Sequence, residues 1–256
     1  MRQNLEPGMQ MIDKAATSKE IDSNPKYDRF VAWMREFGAR FDDVQFPTVF
    51  ENGLTGISAK REIGLNQAFL TVPNILIVSV DKALKDEQLK DFYESNLGVF
   101  GPKHPDHEFL ILASYLLHNY LLGESSFWHP YLQVMNEADL PSRWPDADLH
   151  LFQDAELVKS AELYRSELES EWQVMEPLFQ KRPDLFPPAS LSKPTFLKMY
   201  NFVCTRCFGW GLPCVMMVPL VDYLNHMPVD TEIGLFNLQH QKRKDENKVN
   251  FGLLFD

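Results

Sequence analysis

The apolar residues of this chain change period along its length, and that change restricts the fold more than any other feature. Between residues 44 and 80, runs rich in β-branched and aromatic side chains stand between turn signals: Gln67-Ala-Phe-Leu-Thr-Val72 and Ile75-Leu-Ile-Val-Ser-Val80. They predict short strands. From Asp81 to about Arg206 the period becomes helical, and Leu157, Ala161, Tyr164, Leu168, Trp172, Met175 and Phe179 form one stripe at spacings of three and four. A further helix is expected from Lys193-Pro194, with proline in its first turn, through Phe196, Tyr200, Val203 and Cys207. Extended structure returns at Val215-Met-Met-Val-Pro-Leu220 and Val249-Asn-Phe-Gly-Leu-Leu-Phe255, with a polar hairpin tip from Gln239 to Lys248 between them. Strands at both ends around a helical middle predict an α+β protein with an inserted helical lobe.

The opening residues, 1–25, are polar, carry Pro7-Gly8 and Asn24-Pro25, and read as a flexible arm. From Tyr27 an amphipathic helix is expected, with Phe30, Val31, Trp33, Met34 and Phe37 at helical spacing and Gly38 as its stop. A length of 256 residues with 45% hydrophobic residues can bury a sizeable core. The stretch Phe109 to Leu122, broken by Ser114, His118 and Asn119, is too short to span a bilayer and reads as a buried helix. A net charge of -11, from 36 acidic and 25 basic residues, disfavours nonspecific binding to nucleic acid or anionic membranes and favours a basic protein partner.

Three cysteines, Cys204, Cys207 and Cys214, make no disulfide framework, so a reducing compartment, cytoplasm or nucleus, is expected. A single C-x-x-C on an apolar helix, even with His226, lacks the second pair of a zinc site, and no metal is expected. His104-Pro-Asp-His107-Glu108 reads as a helix start capped around Asp106. Ser125-Ser126 lacks the strand-turn-helix frame of a hydrolase nucleophile.

Chemistry is expected where the apolar run Met217-Val-Pro-Leu-Val-Asp-Tyr-Leu-Asn225-His226 ends. An Asn-His pair closing a buried segment can present two side chains and two backbone amides to a ligand, with Asp222 as a further hydrogen-bonding group upstream.

Taken in order, four segments resemble the SET-domain protein methyltransferases, in the branch of the Rubisco large-subunit lysine methyltransferase and the actin-histidine methyltransferase. They are Gly53-Leu-Thr-Gly56-Ile-Ser-Ala59 with Phe69-Leu-Thr-Val-Pro73, then Ser125-Ser-Phe-Trp128-His-Pro-Tyr131, Cys204-Thr-Arg206-Cys-Phe208, and the Asn225-His226 run. The resemblance implies a SET-type β fold of short strands interrupted by a large helical insertion. Its parts would be an arm at 1–26, the first half of the SET domain at 27–80, the insertion at 81–192 and the second half at 193–256.

The resemblance also implies S-adenosylmethionine as cofactor, held by Gly53, Thr55, Gly56, Arg206, Asp222, Asn225 and His226, with a protein as methyl acceptor. Glycines let backbone approach a ligand, and a guanidinium holds a carboxylate through two parallel hydrogen bonds. Phe208 stands where histidine-methylating members carry an asparagine, which favours lysine: an aromatic wall suits an aliphatic stem ending in a cation. The chain departs from the family in two places. The family more often has Glu-Gly-x-Gly where this sequence has Gly53-Leu54-Thr55-Gly56, and Asp256 falls before the Tyr-Gly turn that carries the family's tyrosine beside the transferring methyl. No catalytic residue is therefore assigned. The alternative to an enzyme is a catalytically silent SET-like subunit that binds or assembles proteins, with another chain covering the edge of the strand Phe251-Gly-Leu-Leu-Phe255.

Overall fold

The computed structural model describes residues 24–50, 53–64, 67–209, 211–225, 231–237 and 249–255. The expected arm, up to residue 23, and the hairpin tip between Gln239 and Lys248 lie outside the described residues.

Helix α1, Pro25–Glu36, opens with the Asn24 side chain accepting from the Lys26 N–H at 3.2 Å and with proline in the first turn. It buries Tyr27, Phe30, Trp33 and Met34, and beyond its C-cap Phe37 the chain reverses at Gly38, whose φ is +90°. Strands β1, Val44–Val49, and β2, Thr55–Ala59, then form an antiparallel hairpin in which Thr48 faces Gly56 and Val49 faces Thr55.

Strand β3 is Leu70–Pro73, and its outer edge pairs with Arg40 through reciprocal Arg40–Thr71 backbone hydrogen bonds of 2.9 and 2.8 Å. The apolar run from Ile75 to Val80 does not continue as one strand. Asn74–Leu76 is a 3-10 turn, only Val78–Ser79 (β4) is extended, and Val80–Leu84 is helix α2. The Ser79 hydroxyl explains the switch, because it accepts from the Lys82 N–H at 3.3 Å and caps that helix.

The middle of the chain is helical as its period requires. Short helices α3, Lys90–Glu94, and α4, Leu97–Phe100, lead into α5, His107–Leu121, which buries an unbroken run from Leu110 to Asn119. Asp106 occupies the N-cap of α5 but makes no capping bond with its side chain. Helices α6, His129–Val134, and α7, Asp146–Leu149, precede the long α8, Ala155–Gln180, whose N-cap Asp154 accepts from the N–H groups of Glu156 and Leu157. Of the predicted stripe, Ala161, Leu168, Trp172, Met175 and Phe179 are buried.

Helix α9, Lys193–Arg206, is capped by Ser192 and packs on α5. Phe92, Phe179, Phe186 and Phe196 fill the lobe's interior, with Phe179 and Phe186 centroids 4.4 Å apart. Buried His118 is spent here too, its ring nitrogens bonded to the Gln88 side chain at 2.8 Å and the Leu185 carbonyl at 3.0 Å.

The chain then returns to the strands of its first part. Of the run Val215 to Leu220 only Met216–Met217 (β5) is strand, paired with β4. Leu220 takes a φ of +73°, and Val221–Tyr223 form a 3-10 turn, so the segment reaches Asn225 as a turn rather than as a strand. Strands β6, Thr231–Asn237, and β7, Val249–Phe255, complete a sheet in the order β3-β7-β6, all antiparallel. The expectation that another chain would cover an exposed edge of this last strand is corrected here. Strand β7 is the central strand, hydrogen-bonded on one side to β3 and on the other to β6, so the protein supplies both partners itself.

Among the described residues no helix is long and apolar enough to cross a membrane.

Candidate functional site

The early glycine turn and the late Asn-bearing segment, far apart in sequence, meet in space. A Cβ built on Gly56 would fall 2.9 Å from Asn225 Nδ2, 2.9 Å from the Tyr223 carbonyl oxygen and 3.0 Å from the Phe50 ring. Gly56 therefore serves a purpose the sequence did not disclose: its missing side chain makes room for the protein's own 223–225 segment. Gly53, at a φ of +81°, turns the β1–β2 hairpin, where its N–H reaches the Phe50 carbonyl at 2.8 Å. Thr55 begins β2 opposite Val49. His226 lies outside the described residues.

Beneath this junction sits a buried charge network. Asp222 has no exposed side-chain surface, and its Oδ2 accepts from Arg206 Nη1 at 3.2 Å and from the Tyr131 hydroxyl at 2.8 Å. Arg206, 13% exposed, is the last residue of α9, and its Nη2 donates to the Asn136 carbonyl at 2.7 Å. The guanidinium also lies 4.9 Å from the Tyr223 ring centroid. Burial opposes the charge on Arg206, but the Asp222 carboxylate overrides it and holds the group above its ordinary range. Burial pushes the Asp222 carboxyl upward, with Arg206 and the Tyr131 hydroxyl pulling back.

Arg206 is thus not a bare cation awaiting a ligand's carboxylate, because an internal carboxylate already shares its charge. Two of its N–H groups are engaged in those bonds, and a guanidinium has five. Asp222 in turn keeps one oxygen, Oδ1, buried without a partner among the described residues.

Phe208, two residues beyond α9, pairs with Met216 through reciprocal backbone hydrogen bonds of 2.7 and 2.9 Å and packs partly buried against the core beside β5. Cys204 and Cys207 are free thiols, both pushed up by burial, Cys204 to about 11, which suits packing rather than nucleophilic work. No group of three or more His, Cys, Asp or Glu side chains suited to a metal occurs among the described residues.

Three participants carry no role in the sequence reading: Tyr131, Tyr223 and the carbonyl of Asn136. Tyr131 lies 91 residues from Asp222, and Tyr223, whose hydroxyl donates to the Val134 carbonyl, lies 89 residues from its acceptor. No local pattern signals pairs so distant. Their traces in the sequence were the presence of Tyr131 in the Ser125–Tyr131 segment and of Tyr223 in the Met217–His226 run.

No protein-family model matches the chain. Among curated proteins, it is 25% identical over 222 residues to the chloroplastic [fructose-bisphosphate aldolase]-lysine N-methyltransferase of Arabidopsis thaliana, covering 84% of this chain and 42% of that protein. It is 27% identical over 138 residues to the actin-histidine N-methyltransferase of Xenopus tropicalis (52% and 22%). With the N-lysine methyltransferase setd6 of Xenopus laevis it shares 24% identity over 218 residues (78% and 46%). The chain spans less than half the length of each of these relatives.

Among solved structures, the SET domain of LSMT bound to lysine and AdoHcy superposes with a TM-score of 0.75 at 21% identity, over 90% of this chain and 50% of that one. Rubisco LSMT bound to AdoMet gives 0.72 at 21%, over 90% and 49%. Two short sheets and a β-hairpin around a helical insertion are therefore the SET fold in the form seen in Rubisco LSMT.

Proposed function

We propose that this chain is the SET portion of a protein N-methyltransferase that uses S-adenosylmethionine and takes lysine as acceptor. The observation that carries the reading is the contact of Gly56 with Asn225 inside a SET fold. The relatives' printed activities, two lysine and one histidine methyltransferase, point the same way.

The donor set fits the cofactor. An amino-acid end carrying an ammonium and a carboxylate needs a buried acceptor and a fork of donors, and Asp222 Oδ1 and the remaining N–H groups of Arg206 supply them. Asn225 would hold it at the β2 junction, with Gly53 and Thr55 along the hairpin turn and His226 as the next residue of the late segment. When bound, the cofactor supplies a methyl group on a sulfonium. This chain's part is to fix that end, to exclude water with the buried Tyr223 and half-buried Phe50, and to present an aromatic wall, Phe208, to the acceptor's aliphatic stem. Little covalent help is needed beyond positioning a neutral amine.

Isothermal titration of the purified chain with S-adenosylmethionine tests the reading. Binding that is lost in Asn225→Ala, with circular dichroism unchanged, supports it. Absence of heat at millimolar cofactor would make the chain a silent SET-like protein-binding module instead.

A further inference from the structure

Resting on that reading, we infer that Tyr131, in the helical insertion, is a positioning residue for the cofactor site, acting through Asp222. Its side chain is fully buried, its ring stacks on Phe30 of α1 at 6.1 Å, and its hydroxyl donates to Asp222 Oδ2 at 2.8 Å. That oxygen also receives Arg206, so the phenol and the guanidinium together set the rotation of the carboxylate. With Oδ2 held from two sides, Oδ1 is the oxygen left to accept from a ligand.

Two more bonds tie the same stretch of the insertion to the site. Arg206 Nη2 donates to the Asn136 carbonyl, and the Tyr223 hydroxyl donates to the Val134 carbonyl. The segment from Tyr131 to Asn136 therefore grips the end of α9 and the 221–223 turn at once. The insertion is not an appendage in this arrangement: it sets the geometry of the turn that the late Asn-bearing segment is built on. A hydroxyl donating to a buried anion is among the stronger hydrogen bonds, and its removal leaves the acceptor under-satisfied.

Tyr131→Phe removes the hydroxyl alone and keeps the ring on Phe30. The expected result is a chain with unchanged circular dichroism that binds S-adenosylmethionine about tenfold more weakly, as loss of a bond of this kind allows. In the same variant the Asp222 carboxyl, followed by carbon NMR, titrates at higher pH, because a donor that favours the anion is gone. In an Asp222→Asn background the same substitution adds no further loss of affinity.

Equal affinity of Tyr131→Phe and the unaltered chain, or an Asp222 titration that does not move, overturns the inference. So does a loss of equal size in the Asp222→Asn background, which would mean that the hydroxyl acts by a route other than Asp222. If Asp222→Asn no longer binds, the titration decides. If the unaltered chain itself binds no cofactor, the reading under Proposed function fails and takes this inference with it. That outcome is distinct from failure of the variants beside a binding-competent parent.

Discussion

At Gly56 a single methyl group separates a site from a clash. The atoms a Cβ would meet include a backbone carbonyl, that of Tyr223, which cannot swing aside as a side chain can. Gly56→Ala is expected to cost about 1–3 kcal/mol in urea unfolding and to weaken cofactor binding. Gly98→Ala, where a Cβ meets nothing within 4 Å, is the control and should leave both unchanged or slightly improved. A second residue-scale prediction concerns Lys82. Its ammonium donates to the carbonyls of Asn74 and Ile77 and lies 5.7 Å from the Trp128 ring, and burial lowers its pKa from 10.5 to about 8 against the opposing pull of Asp81. Between those two values the unfolded chain binds more protons than the folded one, so this group makes stability rise with pH across that window, its charging penalty being present in full below it. Compared with Lys82→Met, the native chain should gain stability between pH 7 and pH 10.5; a difference in urea midpoint that stays flat with pH would refute the assignment.

At the scale of elements, helix α9 connects the lobe core to the site, since Phe196 lies in the aromatic cluster and Arg206 in the charge network. Its start rests on Ser192, whose hydroxyl accepts from the Thr195 N–H at 3.3 Å. Ser192→Ala is expected to cost about 1 kcal/mol, read as a lowered denaturation midpoint. Helices were the most legible elements: Lys193-Pro194 marked the start of α9, and the stripe from Leu157 to Phe179 marked α8. Strands were less so. The run Ile75 to Val80 has the composition of one strand, yet the Ser79 cap and the turn after Pro73 divide it. A β-branched run records burial, and burial does not distinguish a strand from the turns and helix ends packed beside it.

For the whole molecule, cofactor that binds only the folded chain must stabilise it, by about 2.7 kcal/mol at a hundredfold excess over Kd. A thermal melt in S-adenosylmethionine should therefore shift upward, and should not shift for Asn225→Ala. Within the molecule, the sequence alone determined the α+β class and the helical insertion between two strand-bearing parts, while the glycine and asparagine segments were marked by resemblance to a family. The class and the insertion follow from period, caps and turn residues, which act over a few positions. Only the tertiary structure decided what those residues touch. It made β7 a central strand by pairing it with β3 from the chain's first third. It seated the 223–225 segment against Gly56, and committed part of Arg206 to Asp222 and Asn136. Tyr131 joined Asp222 only across 91 residues. Partners of that kind are chosen by packing and desolvation between distant elements, and a local pattern of residue types carries no information about them.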